Sequence, residues 1–127
     1  MMIEIDFGSD EAIYLQLTNQ IIMGIAASRL QEGDALPSVR QLAETIGINM
    51  HTVSKAYSLL RQEGFVTIDR GKGAVICIDA DKQRALEEMK ENLLVVLARG
   101  HCRSVTKDEI HRLIDEIFDE YILDKHK

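Results

Sequence analysis

This chain of 127 residues has no tryptophan, a single proline and only 5% aromatic residues, a composition that favours a helical protein. No apolar run approaches the roughly 18 residues that would announce a membrane span, so no membrane partner is expected. Met1-Met2-Ile3-Glu4 lacks the positive segment of a signal peptide, and a cytoplasmic location is expected. The two cysteines, Cys77 and Cys102, form no disulfide framework and are expected as reduced thiols. The four histidines (51, 101, 111 and 126) show no zinc-ligand spacing, the pair His101-Cys102 included, so no metal is expected. Phosphate loop, nucleophile elbow and dinucleotide fingerprint are all missing. The acid pairs Glu87-Glu88, Asp115-Glu116 and Asp119-Glu120 read as solvated helix faces rather than a catalytic dyad. Neither an enzyme nor a cofactor is expected.

An excess of basic residues is also lacking, since the net charge is −6. Its distribution is uneven. Residues 1–28 hold four acids and no Lys or Arg; residues 29–75 hold six basic and five acidic residues; residues 76–127 hold nine basic and twelve acidic residues. The middle segment is the least acidic, and salt screens charges beyond roughly 8–10 Å, so a locally positive face can exist on an acidic body.

What the chain does have is a patterned stretch from Leu36 to Ile76. Ser38, just after Pro37, is placed to cap a helix that begins at Val39. Val39, Leu42, Ala43 and Ile46 give it one apolar face. Gly47 stops it, and Asn49 caps a second helix with an apolar stripe of Val53, Ala56, Tyr57 and Leu60, ended by Gly64. Two short helices joined by about four residues with glycine at the bend form a helix-turn-helix, whose second helix enters the DNA major groove. Two β-rich runs follow, Phe65–Ile68 and Ala74–Ile78, around the turn Asp69-Arg70-Gly71-Lys72-Gly73. Arg70 and Lys72 can neutralise phosphate, and Gly71 and Gly73 let backbone come close. The sum is a winged helix.

These segments, LPSVRQLA, INMHTVSKAY, LLRQEGFV and RGKGAVI in that order, resemble the DNA-binding domain of the GntR family of bacterial transcription regulators. The resemblance covers roughly residues 13–78, and the short tail is similar to the YtrA-like branch. It implies a double-stranded DNA operator as partner and a contact from Arg40, which lies opposite the apolar face of its helix. Ser38 reads as a cap with a phosphate bond as a compatible second role. Asn49, Met50, His51 and Thr52 open the recognition helix, with His51 and Thr52 aimed at base edges or phosphates and Met50 at a thymine methyl. Ser54 and Lys55 continue that surface, Lys55 as a phosphate contact. Many family members carry Arg where this chain has Met50 and Ser54, which points to a half-site less dominated by guanine.

Before this stretch, Met2–Phe7 alternates apolar and acidic residues, as an extended arm would. Ser9 or Asp10 is expected to cap a helix from Glu11 to about Arg29, in which Tyr14 is a half-buried core residue. Gln31–Asp34 reads as a polar turn. After Ile78, a helix beginning near Asp79-Ala80-Asp81 carries Leu86, Met89, Leu93 and Leu97 and is expected to break at Arg99-Gly100-His101. A Thr106–Glu109 capping box then opens a helix with Ile110, Leu113, Ile114, Ile117, Phe118, Tyr121 and Ile122 on one stripe. Two such helices form a hairpin too small to enclose a core, so it is expected to pair with a second copy.

The expectation is therefore a mostly α protein with a small β-hairpin wing. It has a winged helix-turn-helix over residues 1–78 and a helical dimerisation hairpin over residues 79–127. The resemblance implies a homodimeric repressor on a palindromic operator, controlling an ABC transporter operon. The tail is too short for the larger effector or aminotransferase-like domains of the family, and an unidentified small-molecule effector stays open as a partner. A winged helix used as a protein-interaction module is the alternative.

Overall fold

The computed structural model describes residues 2–78 and 80–123. Asp79, expected to open the second segment, and His126 lie outside the described residues. The chain divides into two compact units, Met1–Asp79 and Ala80–Lys127.

The first unit contains α1 (Ile13–Ala26), α2 (Val39–Ile46), α3 (Met50–Gln62), β1 (Val66–Asp69) and β2 (Gly73–Ile76). Ser38 caps α2 in a reciprocal box: its hydroxyl accepts the Gln41 amide at 3.1 Å, and the Gln41 side chain accepts the Ser38 amide at 3.2 Å. Gly47 ends α2 at φ 81°, a left-handed position that costs glycine nothing. Asn49 caps α3 by accepting the His51 amide at 2.7 Å. Leu17 and Ile21 of α1, Leu42 of α2, Val53 and Leu60 of α3 and Ile76 of β2 meet in one core. Burying side chains of this size contributes about 1.5–3 kcal/mol each, which sets the helix positions.

The arm is extended, as its alternation predicts, but what holds it was not legible. Glu4 and Asp6 donate their amides to Gln20 Oε1 and Gln16 Oε1, both at 2.9 Å. Gln16 Nε2 donates back to the Asp6 carbonyl at 3.0 Å, and Gln20 Nε2 to that of Glu4. Four helical residues rise about 6 Å and two extended residues about 6.6 Å, so the two periods match. Ile3 and Ile5 pack against the core.

Helix α1 departs from expectation at both ends. It begins at Ile13 with Ala12 at the cap position and no side-chain cap. Ser9 Oγ is used locally, accepting the Glu11 amide at 3.1 Å, and the Glu11 carbonyl is taken by Gln16 Nε2 at 2.9 Å. It ends at Ala26 rather than Arg29, because Ser28 turns to φ 61° and the amides of Arg29 and Leu30 fold back to the Gly24 carbonyl.

The hairpin is antiparallel, with Val66 opposite Ile76 and Asp69 opposite Gly73. The strands are displaced from the expected runs by one residue at each end, except that β2 stops at Ile76, two residues before Ile78. Phe65 precedes β1 because its amide closes α3 onto the Leu60 carbonyl at 2.9 Å. The supposed polar turn does more than turn. Leu36 donates to the Ala74 carbonyl at 2.8 Å, Ile76 to that of Asp34 at 2.9 Å, and Ala35 bridges Val75. The segment before Pro37 thus covers the second edge of β2 and ties the start of α2 to the wing.

The second unit contains α4 (Lys82–Cys102) and α5 (Lys107–Ile117), followed by a π-helical turn, Phe118–Ile122. Asp81 caps α4 by accepting the Arg84 amide at 3.1 Å. The expected break at Arg99-Gly100-His101 does not occur. Helix α4 runs through all three, and the chain turns at Ser104, whose φ is 67°, with Val105 donating to the Gly100 carbonyl at 2.9 Å. Thr106 and Glu109 form the expected capping box, and the bonds from Thr106 hold the Glu109 carboxyl below its ordinary pKa. The stripe expected to run to Ile122 on one regular helix ends its α-helical course at Ile117. In the wider turn beyond it, Tyr121 and Ile122 are rotated away from regular α-helical spacing. No side chain of α4 or α5 is buried, so the expected hairpin is open: its helices close no core between them within one chain.

Candidate nucleic-acid interface

The start of α2, the start of α3 and the tip of the wing carry the residues singled out for DNA. Ser38 commits its amide and one of its two oxygen lone pairs to the cap, which leaves its hydroxyl proton to donate. Arg40 is exposed on α2 and has no ion-pair partner among the described residues. Asn49 uses Oδ1 on the His51 amide and keeps its NH2 group. Met50, His51 and Ser54 are exposed and Thr52 is half-buried, so the leading turn of α3 presents one apolar and several polar side chains.

Lys55, expected as a phosphate contact, is exposed and makes a contact within the chain. Its Nζ lies 3.9 Å from the centre of the Tyr14 ring on α1. A cation over an aromatic face at an exposed site stabilises by about 0.5–1 kcal/mol, and reaching for phosphate would forfeit that contact. Tyr14 itself is half-buried against the core, as expected.

At the wing tip, Asp69 organises the turn. Its Oδ1 accepts the Gly71 amide at 2.8 Å and its carbonyl accepts the Lys72 amide at 3.2 Å. Arg70 and Lys72 are exposed. Gly73 sits at φ 79°, where a side chain is strained. Gly71 does not: its φ is ordinary, and a Cβ there would meet Asp69 Oδ1 at 3.5 Å, a normal contact. The turn needs glycine at 73 and not at 71.

Between these elements runs a groove of about 340 Å³. One wall is Pro37, Ser38 and Val39; another is Ser54, Tyr57, Ser58 and Arg61 of α3; the third is Val66, Ile68, Gly73 and Ala74 of the wing. The Tyr57 hydroxyl donates to the Pro37 carbonyl at 2.7 Å and fixes α3 to the start of α2. Burial pushes its pKa up to about 12. Ser58 and Arg61 were missed in the sequence, although Ser54, Ser58 and Arg61 follow i, i+4, i+7 and so share a helix face. A larger cavity of about 630 Å³, lined by Met2, Ile3, Glu4, Gln20, Gly24, Arg29 and Leu30, touches none of the elements of this interface.

The residues proposed for dimerisation all lie along the second unit, but not all on regular α-helix. Leu86, Met89, Leu93 and Leu97 are on α4; Ile110, Leu113, Ile114 and Ile117 are on α5; Phe118 and Tyr121 are in the π-helical turn. Ile110 is half-buried and the others are exposed, with Leu94 beside them 70% exposed. Elsewhere, both cysteines are free thiols, and Cys77 Sγ donates to the Gly64 carbonyl at 3.1 Å. No group of three or more His, Cys, Asp or Glu among the described residues could hold a metal ion. No helix among them is long and apolar enough to cross a membrane.

Comparison with known proteins agrees with this geometry. The family described as bacterial regulatory proteins, gntR family, matches residues 11–76. The HTH-type transcriptional repressor YtrA of Bacillus subtilis (strain 168) is 36% identical over 119 residues, covering 91% of this chain and 92% of that protein. A transcriptional antiterminator from Listeria monocytogenes EGD-e superposes with a TM-score of 0.86 at 33% identity, over 96% of this chain and 93% of that one. YtrA from Sulfolobus acidocaldarius, a GntR-family transcription factor, gives 0.61 at 37% identity, over 74% and 99%.

Proposed function

We propose, from the premise that this chain belongs to the GntR family of bacterial regulatory proteins, that it represses transcription as a cytoplasmic homodimer bound to a palindromic operator. Membership makes it a transcriptional regulator with a DNA-binding domain, in a family whose regulators bind operators and are not enzymes. The reading rests chiefly on one observation. The caps of α2 and α3 and the cationic wing tip present Arg40, Asn49, His51, Thr52, Arg70 and Lys72 from three elements that share one rigid core. The first turn of α3 would read base edges in the major groove, and Arg70 and Lys72 would meet phosphates beside it.

The second unit supports the dimer. Among the described residues its apolar side chains on both helices are left unburied, and a second copy would cover them. Two-fold symmetry would then set two α3 helices about one DNA turn apart, which makes the operator palindromic. Repression is supported by the likeness to the Bacillus repressor, whereas control of an ABC transporter operon rests only on the resemblance of the short tail to the YtrA-like branch.

The test is fluorescence anisotropy against the DNA upstream of the chain's own gene, with a scrambled duplex as control. Wild type should bind the native fragment tightly with two chains per site, and Arg40→Ala and Lys72→Ala should each weaken binding without altering dimerisation. Equal binding by both variants and wild type would show that the DNA face is misassigned and would favour a protein partner.

A further inference from the structure

We propose that the groove between the start of α2, the outer face of α3 and the wing seats one phosphodiester strand of DNA, with Arg61 as its phosphate-neutralising residue. The inference deepens the reading above and rests on it. The less exposed of the groove's lining side chains, among them Val39, Tyr57, Val66 and Ala74, give its three walls an apolar base that serves as the floor. The one polar group of that floor, the Tyr57 hydroxyl, is spent on Pro37. A floor of this kind suits the carbon faces of deoxyribose and offers nothing to a base edge. Ser38, Ser54 and Ser58 supply hydroxyl donors along the walls, and serine hydroxyls are common phosphate ligands.

Charge selects the occupant. Among the described residues, Arg61 is the one charged residue that lines the groove, and no Asp or Glu does. The guanidinium is exposed and has no ion-pair partner among the described residues. Helix α3 carries two cations, Lys55 and Arg61, and Lys55 is directed to the Tyr14 ring on α1. The cation that α3 offers on its wing-facing side is therefore Arg61. It stands seven residues beyond Ser54, about 10 Å further along the helix. The leading turn of α3 could then lie among bases while the rest of the same face follows the backbone out of the major groove toward the wing. An anionic strand fits a groove with one cation, three hydroxyls and no carboxylate; an acidic peptide would need partners for its backbone that an apolar floor does not supply.

A phosphate contact is independent of sequence, so a random 30-base-pair duplex is a sufficient probe. Binding is measured by anisotropy between 50 and 200 mM salt for wild type, Arg61→Gln, Arg61→Lys and, as a distant surface control, Arg29→Gln. Each neutralised phosphate contributes about 0.9 to the slope of log affinity against log salt. Arg61→Gln should lower the slope by about that amount per bound chain, which makes the affinity lost across this range about 3.5-fold smaller. Arg61→Lys should keep the slope, and Arg29→Gln should match wild type. An Arg61→Gln slope equal to wild type overturns the seat while leaving the DNA-binding reading intact, and so does a drop in affinity at unchanged slope. If wild type binds neither this duplex nor its own upstream DNA, the DNA-binding reading fails and the seat fails with it.

Discussion

Replacing Tyr57 with phenylalanine removes one hydroxyl from the joint between α3 and the start of α2, and two opposing effects follow. The residue is 8% exposed and its hydroxyl donates to the Pro37 carbonyl at 2.7 Å. Losing a hydrogen bond of this kind, with the carbonyl left half-buried, costs about 1 kcal/mol at neutral pH. The second effect appears only in base. Burial raises the phenol from 10.0 to about 12 in the folded protein, while the unfolded chain ionises at the ordinary value. Below pH 10 both states hold the proton and the group adds no pH dependence. Between pH 10 and about 12 the unfolded state sheds its proton first, so wild type loses stability as pH rises. The full loss is about 2–3 kcal/mol, half of it reached near pH 11. Tyr57→Phe has no such proton to lose. It should be the less stable protein at pH 7 by about 1 kcal/mol and draw level near pH 11. Urea unfolding followed by circular dichroism at pH 7, 9, 10.5 and 11 measures this, with the other tyrosines common to both proteins. Stability curves that stay parallel across the series would refute both the burial and its sign.

Three further outcomes are expected. Gly73→Ala should lower stability by about 1–2 kcal/mol because its φ is 79°, whereas Gly71→Ala should melt as wild type yet bind DNA more weakly if the wing tip approaches the duplex; equal melting of the two variants would contradict the turn geometry. Ser38→Ala should cost about 1 kcal/mol through loss of the α2 cap. Ser38→Asp should restore stability but weaken DNA binding by placing a negative charge in the groove, and unchanged binding would remove Ser38 from the interface. Leu93→Lys should convert the proposed dimer to a monomer in sedimentation velocity, and sedimentation identical to wild type would place the dimer contact elsewhere.

The parts of the fold legible in the sequence are those fixed by neighbours along the chain. Ser38 with Gln41, Gly47, Asn49 and Thr106 with Glu109 each act within a few residues, and each helix boundary they predict is found. The parts that were not legible depend on distant partners. Ser9 is a good cap in isolation, but Gln16 takes the Glu11 carbonyl and the arm, and α1 starts later. Gly100 breaks no helix because the left-handed turn falls at Ser104. Gly33 and Asp34 belong to the expected polar turn and still pair, with Ala35 and Leu36, along β2 through backbone groups that composition does not reveal. For the candidate site, spacing alone put Lys55 on the recognition helix but did not reveal the contact its ammonium makes with Tyr14, forty-one positions earlier. Arg61 could have been read from its i, i+7 relation to Ser54; it was overlooked because it lies in the last turn of the helix, far from the leading residues that usually touch bases.

The paired glutamines of α1 give the arm a protection pattern of its own. Glu4 and Asp6 hand their amide protons to side chains, while among the described residues the amides of Ile3 and Ile5 have no acceptor. Hydrogen exchange through residues 3–6 should therefore alternate slow and fast with a period of two, the signature of a β-edge, in a segment that belongs to no sheet. Its slow positions are released by peeling of the arm alone, without opening the core beneath, so they report the free energy of docking this one strap.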